Sequence, residues 1–335
     1  MINLSDLDYP KKDIEGKILD LLSNNLMSVT QISKKFGLRK DVGSAILESL
    51  KGQGKLELFV VGKSKVYTIP KVISNDPAPK KFDKKIRTIG IISGKGGVGK
   101  TITTLNLAGA LMGFKKDVIA VDADIKMAGL GLHLGMHNFS KTLGHVMKNN
   151  QNILEALHIH STGLRIIPAP LSTESVDLSN LYPNLQNFLN DNSIVLIDSP
   201  PGLEENSIQV LKSCKEAIIV TIPEFQSLTN SIKMIEKAKE MGVNPIGIVV
   251  NRYNNSKFHK EMLKEIENIC ELPILGIIPE DRLIQESTFK KTPNIFLNPY
   301  SRSSIIFRQI AAKISGEAYK PPKLPFFMNI LRRMA

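Results

Sequence analysis

Cysteine is scarce in this chain of 335 residues: there are two, Cys214 and Cys270. They lie far apart in sequence and neither belongs to a C-x-x-C pair, which argues against an iron–sulfur or zinc site built within one chain. Long apolar runs are also missing. None approaches the ~20 residues that a membrane span requires, so no segment is expected to cross a bilayer. The first residues lack the pattern of a secretory signal, because Asp6 and Asp8 come early and no apolar block follows. The expected location is the cytoplasm. Internal repeats and low-complexity stretches are absent. Metal-ligand spacings are few: His133-x-x-x-His137 suits one face of a helix, but no acidic or cysteine partner lies near. That pair and His158-x-His160 read as non-ligands.

What is present is an ordinary soluble composition, 42% hydrophobic and 23% charged, with a basic excess of +12. The excess is concentrated at one end, where residues 1–90 hold 17 Lys/Arg against 10 Asp/Glu. A basic balance favours polyanions such as DNA or anionic lipid headgroups, without choosing between them.

Residues 1–73 read as a unit of their own. Ile14, Ile18, Leu21 and Leu22 give Lys11–Ser23 helical spacing. Ser28-Val29-Thr30-Gln31 is a capping box that opens a second helix through Phe36, stopped by Gly37. A third helix begins near Lys40, with Val42, Ile46 and Leu50 on one face, and ends near Gly52 and Gly54. Leu56–Val61 and Lys65–Ile69 then form two strands around a Gly62-Lys63-Ser64 turn. Three helices and a hairpin resemble a winged helix-turn-helix domain over about Asp8–Val72. Lys34, Lys35, Arg39, Lys40, Lys63 and Lys65 are its candidate phosphate contacts. Asp41 and Glu48 on the third helix speak equally for a protein-contact role. Residues 74–85, with Pro77, Pro79 and several lysines, form a linker.

From Ile86 the pattern changes to short apolar strands alternating with helices: Ile86–Ser93, Val118–Asp122, Leu164–Ile167, Ile194–Asp198, Ala217–Ile222, Ile246–Asn251 and Ile274–Ile278. Uninterrupted apolar strands are covered on both faces. The expected fold over 86–316 is therefore α/β, a mostly parallel sheet flanked by helices. The first strand runs into Ser93-Gly94-Lys95-Gly96-Gly97-Val98-Gly99-Lys100-Thr101. Gly94-x-x-x-x-Gly99-Lys100-Thr101 between a strand and a helix is a phosphate-binding loop. Its glycines let several backbone N–H groups turn inward, and the helix N-terminus adds positive potential. Lys100 is expected at the β- and γ-phosphates and the Thr101 hydroxyl on Mg²⁺; Ile102 joins the nucleotide-binding set.

Two acidic strand ends follow. Ile194–Asp198 is a Walker B pattern whose Asp198 is expected to hold Mg²⁺ through water, and the Gly202 N–H of Ser199-Pro200-Pro201-Gly202 is expected at the γ-phosphate. Val118–Val121 runs into Asp122-Ala123-Asp124. Strand ends often carry a solvated Asp, but two carboxylates at this place in a P-loop fold favour catalysis. Asp122 is assigned to the metal shell and Asp124 to positioning the attacking water.

Together, GKGGVGKT, VDADIKMAGLGLHLG and IVLIDSPPG resemble the MinD/ParA family of deviant Walker-A ATPases, most closely its MinD branch, over about Arg87–Gly316. The resemblance implies ATP hydrolysis with Mg²⁺ and an ATP-dependent homodimer, in which Lys95 crosses the interface to the partner's phosphates. It places Glu224 of Ile222-Pro223-Glu224 at that interface. It makes Asn251-Arg252 and Pro279-Glu280-Asp281 the adenine pocket, in keeping with the lack of an N-K-x-D guanine motif. Two positions depart from the family: Gly129 stands for an asparagine and Asn230 for an aspartate.

The tail, 317–335, ends in an amphipathic stretch, 325–335. Pro325 suits a first helical turn, and Phe327, Ile330, Leu331 and Met334 share a face with Phe326 at its edge. Arg332 and Arg333 sit apart from that face, placed for anionic headgroups if the helix lies in the membrane surface. MinD proteins end in such a helix. The leading expectation is an ATP-driven dimer, peripherally membrane-associated, that positions an unidentified cargo or activating partner. The alternatives are a DNA-partitioning ATPase and an ATP-sensing transcription regulator, both using the N-terminal unit. Metal-cluster carriers share the loop but need cysteines this chain lacks.

Overall fold

A computed structural model describes residues 11–23, 27–61, 64–68, 86–149, 151–171, 175–189 and 193–322. The linker at 74–85, Lys63 and the amphipathic segment 325–335 lie outside the described residues.

The N-terminal unit comprises α1 (Lys11–Ser23), β1 (Met27–Ser28), α2 (Val29–Lys35), α3 (Lys40–Gly52), β2 (Glu57–Val61) and β3 (Ser64–Thr68). The capping box forms: Ser28 N–H donates to Gln31 Oε1 at 2.9 Å, and Gln31 N–H to Ser28 Oγ at 3.4 Å. Gly37, at φ +63°, takes the left-handed turn that ends α2. Ile18, Leu22, Ile32, Ile46, Leu47, Leu50 and Tyr67 make a core of their own. The sequence pattern missed β1, whose two residues pair with β3 and place β3 between β1 and β2, antiparallel to both. Tyr67 on β3 is fully buried and its hydroxyl donates to Glu48 of α3 at 2.8 Å.

The larger unit opens with β4 (Arg87–Ile92), α4 (Lys100–Gly113), β5 (Val118–Asp122), α5 (Leu130–His133) and α6 (Leu143–Lys148). It continues through β6 (His158–Ile159), β7 (Arg165–Ile167), α7 (Leu181–Phe188), β8 (Ile194–Asp198), α8 (Glu205–Lys212) and β9 (Glu216–Thr221). It closes with α9 (Phe225–Glu240), β10 (Asn244–Tyr253), α10 (Lys257–Cys270), β11 (Ile274–Pro279), α11 (Arg282–Phe289), α12 (Asn294–Leu297) and α13 (Arg302–Ser315). The sheet runs β11-β10-β9-β4-β8-β5-β7-β6, parallel throughout except for β6, an antiparallel edge of two residues that the sequence did not signal.

The expected two-sided burial is realised strand by strand. Ile119 and Val121 of β5, Val195 and Ile197 of β8, and Ala217 and Ile219 of β9 face a layer completed by α6 to α10. Their alternates Val118, Ala120, Leu196, Ile218 and Val220 face a layer completed by α4 and α13. Each fully buried Ile or Leu contributes on the order of 1.5–3 kcal/mol, so these strands cannot slip by one residue without exchanging the layers they fill. The register holds the carboxyl ends of β4, β5, β8 and β9 at one edge, where ligands bind in open α/β sheets. His158 of β6 packs edge-on against Phe139, ring centroids 4.8 Å apart, and its Nε2 lies 2.7 Å from the Lys141 carbonyl oxygen. Burial lowers its pKa.

Candidate nucleotide-binding and hydrolysis site

The phosphate loop connects central β4 to α4, and its glycines answer specific geometric demands. A Cβ on residue 94 would lie 2.4 Å from Asn230 Cβ and 2.5 Å from the Asn230 carbonyl oxygen, because α9 crosses the loop there. Gly97 and Gly99 have φ +74° and +97°, left-handed values that side chains disfavour. Lys100 is buried in the first turn of α4, its Nζ donating to Ser93 Oγ at 2.9 Å, while Ser93 Oγ donates to the Lys95 carbonyl at 2.8 Å. Burial lowers the Lys100 pKa; the carboxylates of Asp198 and Asp124 oppose that shift.

Thr101 and Asp198, far apart in sequence, meet: the Thr101 hydroxyl donates to Asp198 Oδ2 at 2.6 Å. The Thr104 hydroxyl reaches Asp198 Oδ1 at 3.4 Å. Burial pushes the Asp198 carboxyl up to about 7, against the pull of the Thr101 hydrogen bond and of Lys100. Asp124, half-buried, is also raised by burial. A hydroxyl and a carboxylate in contact, with a second acid nearby, are the hard oxygen donors that Mg²⁺ takes. The residues present fit the ion: Thr101 and Asp198 would hold it, and it would neutralise phosphate charge.

Asp122, expected in the metal shell, is hydrogen-bonded within the chain. Its Oδ2 accepts the N–H groups of Gly129 and Leu130, each at 2.9 Å, and its Oδ1 accepts that of Asp124 at 3.3 Å. It is fully buried, and burial raises its pKa well above the usual carboxylate range. Its place in the fold is that of a staple holding the loop that carries Asp124. The Gly202 N–H, expected at the γ-phosphate, donates to the Ser93 carbonyl at 2.9 Å.

Lys95 does not point into its own loop. Its Nζ donates to Glu224 Oε2 of the same chain at 2.7 Å, so the two residues expected at a dimer interface are paired with each other. The two departures from the family pattern lie against the loop. Asn230 backs Gly94, and a Cβ on Gly129 would meet Thr101 Cγ2 at 3.2 Å.

The expected base-binding residues converge on one cavity of about 320 Å³. Gly99 reaches it from the phosphate loop, Ile102 from α4, Asn251 and Arg252 from the end of β10, Pro279 from the end of β11, and Glu280 and Asp281 from the residues that follow. The volume is at the small end of ligand sites, roughly 300–1,000 Å³. Asn251 Nδ2 donates to the Val98 carbonyl at 2.8 Å and ties this wall to the phosphate loop. Arg252, at φ +53°, is a non-glycine residue in left-handed backbone at the cavity rim, a strain that often accompanies function. Asp281 caps α11 through Leu283 N–H at 3.0 Å and accepts the Ser303 hydroxyl at 2.6 Å, so its carboxylate shapes the wall. The sequence reading left out His133, Ile284, Gln285 and Thr288, which line the same cavity. A single turn of helix carries no periodicity to flag His133.

Residues 89–294 match the model of the CobQ/CobB/MinD/ParA nucleotide-binding domain. The chain belongs to that family. An uncharacterised ATP-binding protein of Methanocaldococcus jannaschii is 34% identical over 238 residues, covering 69% of this chain and 89% of the relative. The cell division ATPase MinD of Pyrococcus furiosus superposes with a TM-score of 0.64 at 33% identity, covering 69% of this chain and 98% of its own. The septum site-determining protein MinD of Pyrococcus horikoshii, complexed with Mg-ADP, gives 0.64 at 31% identity, covering 71% of this chain and all of its own. This is a MinD-like ATPase with ATP as substrate and Mg²⁺ as cofactor. The N-terminal unit lies outside the matched residues.

Proposed function

We propose that this ATPase is a nucleotide-dependent switch: it dimerises on ATP, residues 325–335 hold the dimer on an anionic membrane, and the dimer positions a partner protein there. The observation that carries the reading is the outward placement of Lys95. Lys100 alone is buried beneath the phosphate loop, while Lys95 is held at the surface by Glu224, free to serve a phosphate that is not its own. Charge neutralisation supplied in trans is an effective way to accelerate phosphoryl transfer. One short amphipathic helix binds lipid weakly, whereas two on one dimer gain avidity of roughly 10²–10⁴-fold where geometry permits. Hydrolysis then sets residence on the membrane.

Sedimentation with vesicles tests this. With ATP, the full chain should pellet with anionic vesicles and less with neutral ones, and the chain ending at Leu324 should stay in the supernatant. Equal pelleting by the two chains sinks the membrane reading. The assignment of Lys34, Lys35 and Lys40, all exposed on the N-terminal unit, to DNA is the second reading. Arg39 weakens it, being tied to Asp41 at 2.9 Å. Steeply salt-dependent binding of duplex DNA by the full chain would favour it.

A further inference from the structure

His133 lines the base cavity from α5, and one hydrogen bond fixes its tautomer. Its Nδ1 lies 2.8 Å from the Gly129 carbonyl oxygen. A carbonyl oxygen only accepts, so Nδ1 carries the proton, and Nε2 of the neutral ring is left as an acceptor. Gly129 is itself held by its N–H on Asp122, which keeps the lock in place.

The other polar side chains of the cavity are largely committed. The Asn251 amide N–H is used on Val98, both Asp281 oxygens are used on Leu283 and Ser303, and the Thr288 hydroxyl donates to the Ile284 carbonyl at 3.1 Å. Arg252, Glu280 and Gln285 are exposed at the rim. An acceptor with a fixed tautomer, half-buried and lining the same cavity as the β10 and β11 ends, is a discriminating feature.

We propose that His133 is a base-selecting residue: its Nε2 accepts a hydrogen bond from the 6-amino group of the purine and disfavours 6-oxo purines. A 6-oxo base offers an acceptor at that place, leaving two acceptors facing each other. Because the site is partly open to water, the discrimination expected is about tenfold, well short of what a fully buried polar mismatch gives. This inference rests on the reading of the cavity as the base pocket.

The experiment measures dissociation constants of the full chain for Mg²⁺ complexes of ATP, inosine triphosphate and inorganic tripolyphosphate, by displacement of a ribose-labelled ADP. The wild type should prefer ATP to inosine triphosphate by about tenfold. His133→Leu, which keeps bulk but offers no acceptor, should bring the two nucleotides within about twofold while leaving tripolyphosphate unchanged. His133→Gln, whose Oε1 can accept, should recover part of the preference; this rescue separates base selection from a merely structural role. An ATP preference unchanged in His133→Leu overturns the proposal, as does a wild type that binds both nucleotides equally. Gln285→Trp, which fills the cavity from its exposed rim, should weaken both nucleotides without affecting tripolyphosphate. If it weakens neither, the cavity is not the base pocket, and that reading falls together with the role of His133.

Discussion

Replacing Lys95 by alanine separates a structural from a functional reading of the second lysine in the loop. In the folded chain it pairs with Glu224 at 2.7 Å, with side-chain exposures of 34% and 48%. An ion pair this open to solvent contributes about 0.2–1 kcal/mol. For a domain of this size 1 kcal/mol moves the melting temperature by roughly 2–4 °C, so Lys95→Ala should lower it by no more than ~4 °C. Glu224→Gln should cost a similar small amount. Self-association should respond very differently. On an Asp124→Ala background, which is expected to keep ATP unhydrolysed, sedimentation velocity should show an ATP-driven dimer that Lys95→Ala abolishes. A fall in stability above about 2 kcal/mol would make Lys95 a structural residue, because a solvent-exposed pair cannot supply it. An undiminished dimer at saturating ATP would refute the trans assignment outright.

Asp124→Ala by itself should bind ATP normally and slow hydrolysis by roughly 10²-fold or more, read by phosphate release; an unchanged rate would move the water-positioning role elsewhere. Gly94→Ala should force α9 or the loop to shift, since the new Cβ meets backbone of Asn230 at 2.5 Å; we expect a loss of about 1–3 kcal/mol in thermal unfolding, with weakened nucleotide binding. The raised pKa of Asp198, about 7 in the fold, means that the folded state keeps a proton that the unfolded chain releases near its ordinary 3.8. The folded-state advantage from this group is therefore full below about pH 4 and is lost as pH rises through about 7. In metal-free protein, melting temperature should decline across that window more steeply in the wild type than in Asp198→Asn, and Mg²⁺–nucleotide affinity should rise with pH up to about 7.

The phosphate loop was legible because its geometry has few sequence solutions. Left-handed backbone at Gly97 and Gly99, and α9 pressed on Gly94, leave glycine as the residue that fits. The central strands were legible because each is buried on both faces and reads as an unbroken apolar run. The short strands β1 and β6 were not, since two residues have no period. That Asp122 also holds a turn could not be read from sequence, because it depends on where the Gly129 and Leu130 N–H groups lie. Gly202 is a similar case: the target of a backbone N–H is a property of how two loops lie together.

The charges of the site show why nucleotide and metal have to arrive together. Asp124 and Asp198 act on one buried cation, Lys100, Asp122 lies close to both acids, and burial raises the pKa of all three. A nucleotide alone would bring more negative charge into a region already short of positive charge. A divalent ion held by Thr101 and Asp198 would reverse that balance and would keep Asp198 ionised against the burial that raises its pKa. Lys95 is the remaining cation within the loop, and it is parked on Glu224 by a bond that water largely screens. Releasing it costs little, because Glu224 is exposed enough to be solvated once alone. A buried partner would have held Lys95 far more firmly, since an abandoned buried carboxylate is strongly penalised. The weakness of the pair is thus what the proposed switch would require: strong enough to keep Lys95 off its own loop, and weak enough to yield if a partner's phosphate presented itself.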